Sequence, residues 1–392
     1  MQGISAESDT SLDVKYLIEL INFPSVTPFS AGCMEWLSKQ LQNLGFVCRS
    51  FNKCGVTNMI AELDFGKVGP TFAFAGHIDV VPADTNEWHS DPFEAQIIGE
   101  CIVGRGAADM KGAIAAMLAA CEILISSKTP LTGKLLWLIT SDEEGEAEFG
   151  TYEIVQKLKE RNLNIDYCLV GEPTCDSKIG DTIKNGRRGA ISGKIIFEGR
   201  KGHVAYPQKS INAAHVGIEC AKKLVDIDWR FEGKEAETSL QVTNLHVPYA
   251  LDNIVPGQCH VDFNIRYGHE LNSEIVKSRV HEALEFCQKK YFVNWERACE
   301  PYYSNFKEEG ASNLLDILER SININVGIYP KLSTSGGTSD GRFIREICEQ
   351  VIEFGLRNYC IHQINEKVAI SELNMLTKIY SDILRSLFVS AK

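Results

Sequence analysis

Five short strings in this chain place histidine and carboxylate side chains where a pair of divalent cations would need them. They are Ala75-Gly76-His77-Ile78-Asp79, Gly106-Ala107-Ala108-Asp109-Met110-Lys111-Gly112, Asp142-Glu143-Glu144-Gly145, Gly171-Glu172-Pro173-Thr174 and Ile361-His362-Gln363-Ile364-Asn365-Glu366. Together they offer two imidazoles and at least four carboxylates, the donor set of a carboxylate-bridged zinc pair. Each string also has a plainer reading. His77 suits a turn cap, and Asp109, just ahead of an Ala-rich run, suits a helix N-cap. Glu143 and Glu144 fit a solvated acidic turn, Glu172 an ion pair with an arginine, and His362 an ordinary half-buried histidine. What favours a metal site is the recurrence of five such strings, each beside an expected strand or tight turn.

Spacing sharpens the roles. His77 and Asp79 lie two apart at a strand end, so both side chains face one side while Ile78 faces away. That suits a histidine on one cation and an aspartate that bridges or holds the surroundings. Gly104-Arg105-Gly106-Ala107-Ala108-Asp109 has the outline of a dinucleotide fingerprint, but its third glycine is replaced by Asp109, whose charge would repel a pyrophosphate. A carboxylate there is better used with its two oxygens on two cations. The neighbouring side chains of Glu143 and Glu144 diverge, so one can ligate while the other faces the reacting water. Three arginine-bearing stretches suit substrate carboxylates or else structural ion pairs. They are Asn185-Gly186-Arg187-Arg188-Gly189, Asn264-Ile265-Arg266-Tyr267 and Ser335-Gly336-Gly337-Thr338-Ser339-Asp340-Gly341-Arg342. The last is Gly-rich enough to bind an anion through backbone N–H groups, but it lacks the Lys-Ser/Thr of a phosphate loop. His203, in Gly202-His203-Val204-Ala205-Tyr206-Pro207, is either a donor to a developing oxyanion or part of a surface turn.

Apolar spacing predicts helices over 11–21, 34–44, 112–126 and 152–160, and strands over 71–75, 134–140 and 166–170. This alternation predicts an α/β sheet, with the candidate ligands just past strand ends, where open α/β sheets place their sites. Near Gly189 the pattern changes. Alternating strands over 190–198, 239–247 and 258–267, with helices over 211–226 and 272–288, give a β-α-β-β-α order, an α+β insert with an antiparallel sheet. The α/β style returns near Pro301 and ends in a helix over 371–387. A split domain (1–188 and 302–392) with an insert over 189–301 is therefore expected.

Bulk composition narrows the class. A chain of 392 residues exceeds one ordinary core. Its 44% apolar and 23% charged residues are those of a soluble globular protein. A formal net charge of −12 argues against a nucleic-acid partner, but not against a small anion met by a few local arginines. No apolar run approaches the ~20 residues that span a bilayer, and Met1 to Glu7 lack the basic and apolar regions of a signal peptide. Thirteen scattered cysteines with no C-x-x-C pair read as free thiols in a reducing cytosol. A cytoplasmic location is the expectation.

At these residues the chain resembles the dinuclear zinc amidohydrolases and exopeptidases, the family of acetylornithine deacetylase, aminoacylase and their zinc carboxypeptidase relatives. Within it the resemblance is to the succinyl-diaminopimelate desuccinylase branch. The similarity runs from the first helix to the last. The closer match rests on Lys184-Asn185-Gly186-Arg187-Arg188-Gly189, on the string Gly202 to Pro207, and above all on Gly336-Gly337-Thr338-Ser339-Asp340-Gly341-Arg342-Phe343.

The resemblance implies a zinc-exopeptidase-like α/β catalytic domain, its central sheet flanked by helices, and an inserted α+β lid and dimerisation domain. It implies that His77 and Glu172 bind one zinc, that Glu144 and His362 bind the other, and that Asp109 bridges them. Glu143 would be the general base and Asp79 would orient His77. Cobalt or manganese can take the place of zinc. Arg187, Tyr206, Asn244, Arg266, Gly337, Thr338 and Arg342 would touch substrate, and His203 would reach into the site of a second subunit in a homodimer. The implied reaction is hydrolysis of the amide of N-succinyl-L,L-2,6-diaminopimelate to succinate and L,L-diaminopimelate, which feed lysine and peptidoglycan precursors. A related N-acyl amino acid deacylase, a dipeptidase or a carboxypeptidase is the alternative. A non-catalytic relative is a third reading, disfavoured because every ligand and the base are in place. Two positions depart from the family pattern: Ala190 stands where Ser is usual, and Gly355-Leu356 where Gly-Pro is usual. Neither is a metal ligand.

Overall fold

Apolar runs buried on both faces build the centre of the first of two compact units. The computed structural model describes residues 10–233, 237–249, 251–285, 287, 291–304 and 313–389. Met1 to Glu7 lie outside the described residues, and the helix expected over 272–288 ends at Leu284, with Glu285 as its C-cap. In Lys134–Thr140 every residue after the first is buried, and Thr71–His77 is nearly so. Such unbroken runs belong to strands covered on both sides.

The first unit comprises residues up to Gly186, Ser304–Thr334 and Ser339–Lys392. Among the described residues its main sheet has eight strands. Their order is Val47–Lys53, Val56–Asp64, Lys134–Thr140, Thr71–His77, Tyr167–Val170, Val351–Glu353, Thr182–Lys184 and Lys331–Ser333. The four strands 134–140, 71–77, 167–170 and 351–353 run parallel. Strands 47–53 and 56–64 form an antiparallel hairpin on one side of them. Its two-residue turn, Cys54-Gly55, has both φ positive (51° and 90°), which matches the twist of the flanking strands.

Helix Lys111–Ser126 has almost no polar face and is buried along nearly its whole length, packed against helices Leu12–Ile21 and Ile370–Phe388. Its entry is tight. A Cβ at Gly112 would sit 2.4 Å from the Ala107 carbonyl oxygen and 2.5 Å from Leu356 Cδ1. Backbone cannot retreat as a flexible side chain can, so Gly112→Ala is expected to cost about 1–3 kcal/mol, read as a lower urea midpoint at unchanged slope.

The second unit comprises Arg187–Tyr303 and Ser335–Thr338. Arg187, Arg188 and the 335–338 turn thus group with it, whereas the sequence reading placed them in the first domain. The reason is local: Arg187 Nη1 donates to the carbonyls of Ser335 and Gly337, each at 3.4 Å. The sheet is antiparallel, in the order Ser239–His246, Gln258–Tyr267, Gly189–Glu198 and Tyr291–Trp295. Helices Ala213–Val225 and Ser273–Leu284 pack over a core that includes Ile191, Ile195, Phe197, Val261 and Phe263. Both helices begin at an asparagine cap: Asn212 accepts from Ala214 N, and Asn272 from Ile275 N. The expected β-α-β-β-α order gains a final strand, 291–295. Tyr291-Phe292-Val293-Asn294-Trp295 is apolar at both parities, so its two-residue period is masked in the sequence.

Among the described residues no helix is long and apolar enough to cross a membrane. The thirteen cysteines are free thiols, and most are buried.

Candidate metal centre

Strand register brings three of the five strings together. His77 lies opposite Thr140 on the parallel strand 134–140, and Ala75 lies opposite Val170. The chain therefore leaves the sheet three times at one edge, with His77, Glu143–Glu144 and Glu172 just past it. The glycines of these strings have a packing reason. A Cβ at Gly76 would sit 2.4 Å from Met110 Cε, and one at Gly171 would sit 2.5 Å from the same atom. Met110 fills the space that both leave.

His77 is buried, and its Nδ1 lies 2.9 Å from the Asp79 backbone carbonyl. A carbonyl only accepts, so Nδ1 carries the hydrogen there and Nε2 is turned toward the acids. His77 Nε2 lies 3.4 Å from Asp109 Oδ1, 3.6 Å from Glu172 Oε1 and 3.9 Å from Glu143 Oε2. On the other side, His362 Nε2 lies 2.9 Å from Glu144 Oε1 and 3.4 Å from Asp109 Oδ2. Asp109 thus presents one carboxylate oxygen to each histidine. All seven residues belong to the first unit.

Asp79 holds this arrangement in two ways. Its carbonyl meets His77, while its fully buried carboxylate accepts from Glu143 N at 3.2 Å and Glu144 N at 3.0 Å. Two acids outside the expected set also do positioning. Asp142 accepts from the backbone of Ala147, Glu148 and Phe149, which curls the acidic loop around it. Glu366 accepts from the backbone of Gly106, Ala108 and Asp109. Both lie inside the strings already singled out, and only their neighbours in space reveal what they hold.

The charges carry the mark of mutual proximity. Burial works against the His77 imidazolium, but Asp109 and Asp79 outweigh it and raise its pKa well above the ordinary range. Asp109, followed by Glu144, raises His362 to about 10. Burial works against ionisation of Asp109, yet the His362 and His77 imidazoles beside it hold it below the usual carboxylate range. Glu143 is pushed well up, first by burial and then by the charge of Glu172. Crowded carboxylates are costly unless cations balance them.

The residues fit a pair of divalent cations. Buried His77 Nε2 and Asp109 Oδ1 make no hydrogen bond. One ligand atom each from His77, Glu143 and Glu172 lie within 4.8 Å of one another, as do those from His77, Asp109 and Glu144. Nitrogen and carboxylate donors in this ratio suit zinc and its first-row neighbours.

The residues expected to touch substrate are divided between the units. Arg342 is in the first, where its Nη1 donates to the Ser339 carbonyl and its guanidinium lies 4.4 Å from the Phe343 ring centroid. Arg187, Gly337, Thr338, His203, Tyr206, Asn244 and Arg266 are in the second. The His203 and Tyr206 rings are 5.9 Å apart, both exposed, and His203 Nδ1 accepts from Ala205 N. Asn244 sits at a strand irregularity and donates to Asp262, while Arg266 Nε donates to Asn264 Oδ1.

Relatives carry the same chain nearly end to end. It is 41% identical over 377 residues to succinyl-diaminopimelate desuccinylase 2 of Shewanella loihica, covering 95% of this chain and 99% of the relative. It is 43% identical over 366 residues to succinyl-diaminopimelate desuccinylase 1 of Alteromonas mediterranea, covering 93% of each. In fold it resembles an M20 family metallo-carboxypeptidase from Sulfolobus solfataricus, with a TM-score of 0.77 at 18% identity over 96% of this chain and 99% of that one. It likewise resembles a dinuclear metal-binding M20 peptidase from Bacillus subtilis, with a TM-score of 0.69 at 13% identity over 96% and 97%. Residues 73–386 match the profile of peptidase family M20/M25/M40, and the chain belongs to that family.

Proposed function

We propose that this protein is a metal-dependent amidohydrolase that cleaves N-succinyl-L,L-2,6-diaminopimelate to succinate and L,L-diaminopimelate. The observation that carries the hydrolytic reading is Asp109, with one oxygen toward His77 and the other toward His362. His77 and Glu172 would hold one cation, Glu144 and His362 the other, with Asp109 shared between them. Two zinc ions are the expected pair, with cobalt able to substitute. When bound, such cations polarise a carbonyl and make water acidic enough to react near neutral pH.

The chain's own residues do the rest. Glu143 takes the proton from the attacking water and returns it to the leaving amine, the work of a general base turned general acid. Asp79 keeps the His77 hydrogen on Nδ1 and holds the 143–144 backbone. Arg187, Arg266 and Arg342, with Tyr206, Asn244, Gly337 and Thr338, bind the substrate's carboxylates, as guanidinium forks do. His203 donates to the oxyanion. In this reading the partner is a small anion, not nucleic acid or membrane, and the enzyme is cytoplasmic. Two copies pair through the second unit, and His203 serves its partner's site. The largely exposed strand Ser239–His246, at the edge of its sheet, supports such pairing.

Hydrolysis of N-succinyl-L,L-diaminopimelate by zinc-loaded protein tests the reading, with N-acetylornithine and a chelated sample alongside. Fast, chelator-sensitive turnover of the succinyl compound alone is expected. Preference for the acetyl compound would keep the metal chemistry and overturn the role given to the three arginines. Stoichiometric metal without hydrolysis of any N-acyl amino acid would overturn the enzyme itself.

A further inference from the structure

Glu366 is almost fully buried (1% exposed), far from solvent for a carboxylate that ligates nothing in the scheme above. Its Oε1 accepts from Ala108 N at 2.8 Å and Asp109 N at 3.0 Å. Its Oε2 accepts from Gly106 N and from Arg105 Nη1, both at 2.9 Å. Its backbone carbonyl accepts from Gly104 N at 3.0 Å. One residue therefore ties down the whole turn from Gly104 to Asp109. Arg105, itself 4% exposed, also donates to the Gln363 carbonyl and lies 5.0 Å from the Trp88 ring centroid.

Glu366 belongs equally to the turn that carries His362. That turn needs holding. His362 and Asn365 both have left-handed backbone, with φ of 59° and 57°, a conformation that non-glycine residues keep only where surroundings enforce it. Asn365 is pinned by accepting from His89 N at 3.0 Å. Six hydrogen bonds, five to Glu366 and one from Arg105 to the Gln363 carbonyl, link this turn to the Asp109 turn. His77 and Glu172 lie on strand ends that Glu366 does not touch.

We infer that Glu366, with Arg105 as its counter-ion, is a positioning residue. It sets the separation of Asp109 from His362, and so bears most strongly on the cation site that His362 completes, since His77 and Glu172 keep their own strand-end supports. The inference rests on the two-cation reading above.

Titration of metal-free protein with cobalt(II), followed by visible absorption and calorimetry, tests it. The native chain is expected to take up two equivalents. In Glu366→Gln an amide N–H would replace one acceptor and face two donors, so the equivalent held by Glu144 and His362 is expected to weaken about 10–100-fold, with an altered spectrum. The equivalent held by His77 and Glu172, which shares only Asp109 with the disturbed turns, should weaken by less than a tenth as much. In a His362→Ala background, where the tuned site is already lost, Glu366→Gln should add nothing, a non-additivity that a general loss of stability would not produce. Equal weakening of both equivalents, or unchanged binding with only a lower melting temperature, overturns the inference. Should Glu366→Gln not fold, Arg105→Lys decides. It keeps the carboxylate and its three backbone bonds, and unchanged binding of both equivalents in that variant overturns the inference equally. Uptake of a single equivalent by the native chain would instead overturn the two-cation reading.

Discussion

Glu143→Gln is expected to lower kcat by a factor of about 10²–10⁴ while the purified protein keeps its full complement of metal. The residue stands on the 142–145 turn, its backbone N–H held by Asp79 and its carboxylate 3.9 Å from His77 Nε2. Glutamine preserves shape and one carbonyl oxygen but cannot accept a proton. The substitution therefore separates two roles the geometry allows, because an oxygen of Glu143 is also within reach of a cation shared with His77 and Glu172. Metal analysis of the dialysed variant decides between them. Full metal with slow turnover assigns the base, depleted metal makes Glu143 a ligand, and full metal with near-normal turnover removes it from the chemistry.

Asp109→Ala should abolish activity through loss of metal. Its carboxylate places one oxygen 3.4 Å from His77 Nε2 and the other 3.4 Å from His362 Nε2. Loss of a ligand shared by both cations should lower metal affinity by more than the roughly 10–100-fold that loss of an outer-shell partner costs. The effect should fall equally on both equivalents, whereas that of Glu366→Gln falls mainly on one. The fold should survive, because the Asp109 side chain faces the two histidines while its backbone N–H is what Glu366 holds. Calorimetric titration of a variant with a native-like circular dichroism spectrum provides the check, and two equivalents bound at native affinity would remove Asp109 from the bridge.

Much of the frame was legible because burial writes itself into composition. Lys134–Thr140 and the Ala-rich helix at 111–126 are apolar all round, and only full burial explains such runs. The hairpin at 47–64 was not legible. Its outer strand, Val47–Lys53, is largely exposed and carries Arg, Ser, Asn and Lys, so nothing in its pattern marks a sheet. The short strands Thr182–Lys184 and Lys331–Ser333 escape for another reason, since three residues are too few for any period to show.

The candidate ligands were legible only as a set, because each string alone has a plainer reading and it is their recurrence beside strand ends that suggests a metal site. Their division of labour was not. Asp142, Asp79 and Glu366 look like further acids of the same kind, yet Asp79 and Glu366 spend oxygens on backbone N–H groups of another loop and Asp142 on those of its own.

Sequence alone determined which side chains could bind metal, that an α/β frame would deliver them, and that an α+β unit would interrupt it. These follow from local chemistry and from periods of two and 3.6 residues. Only the tertiary structure decided which oxygen of Asp109 meets which histidine and which nitrogen of His77 is turned toward the acids. It also decided that a glutamate four residues past His362 anchors the turn of Asp109, 257 positions away along the chain. Such choices are set by strand register and by buried hydrogen bonds between distant loops, and no local pattern encodes a partner that far along the chain.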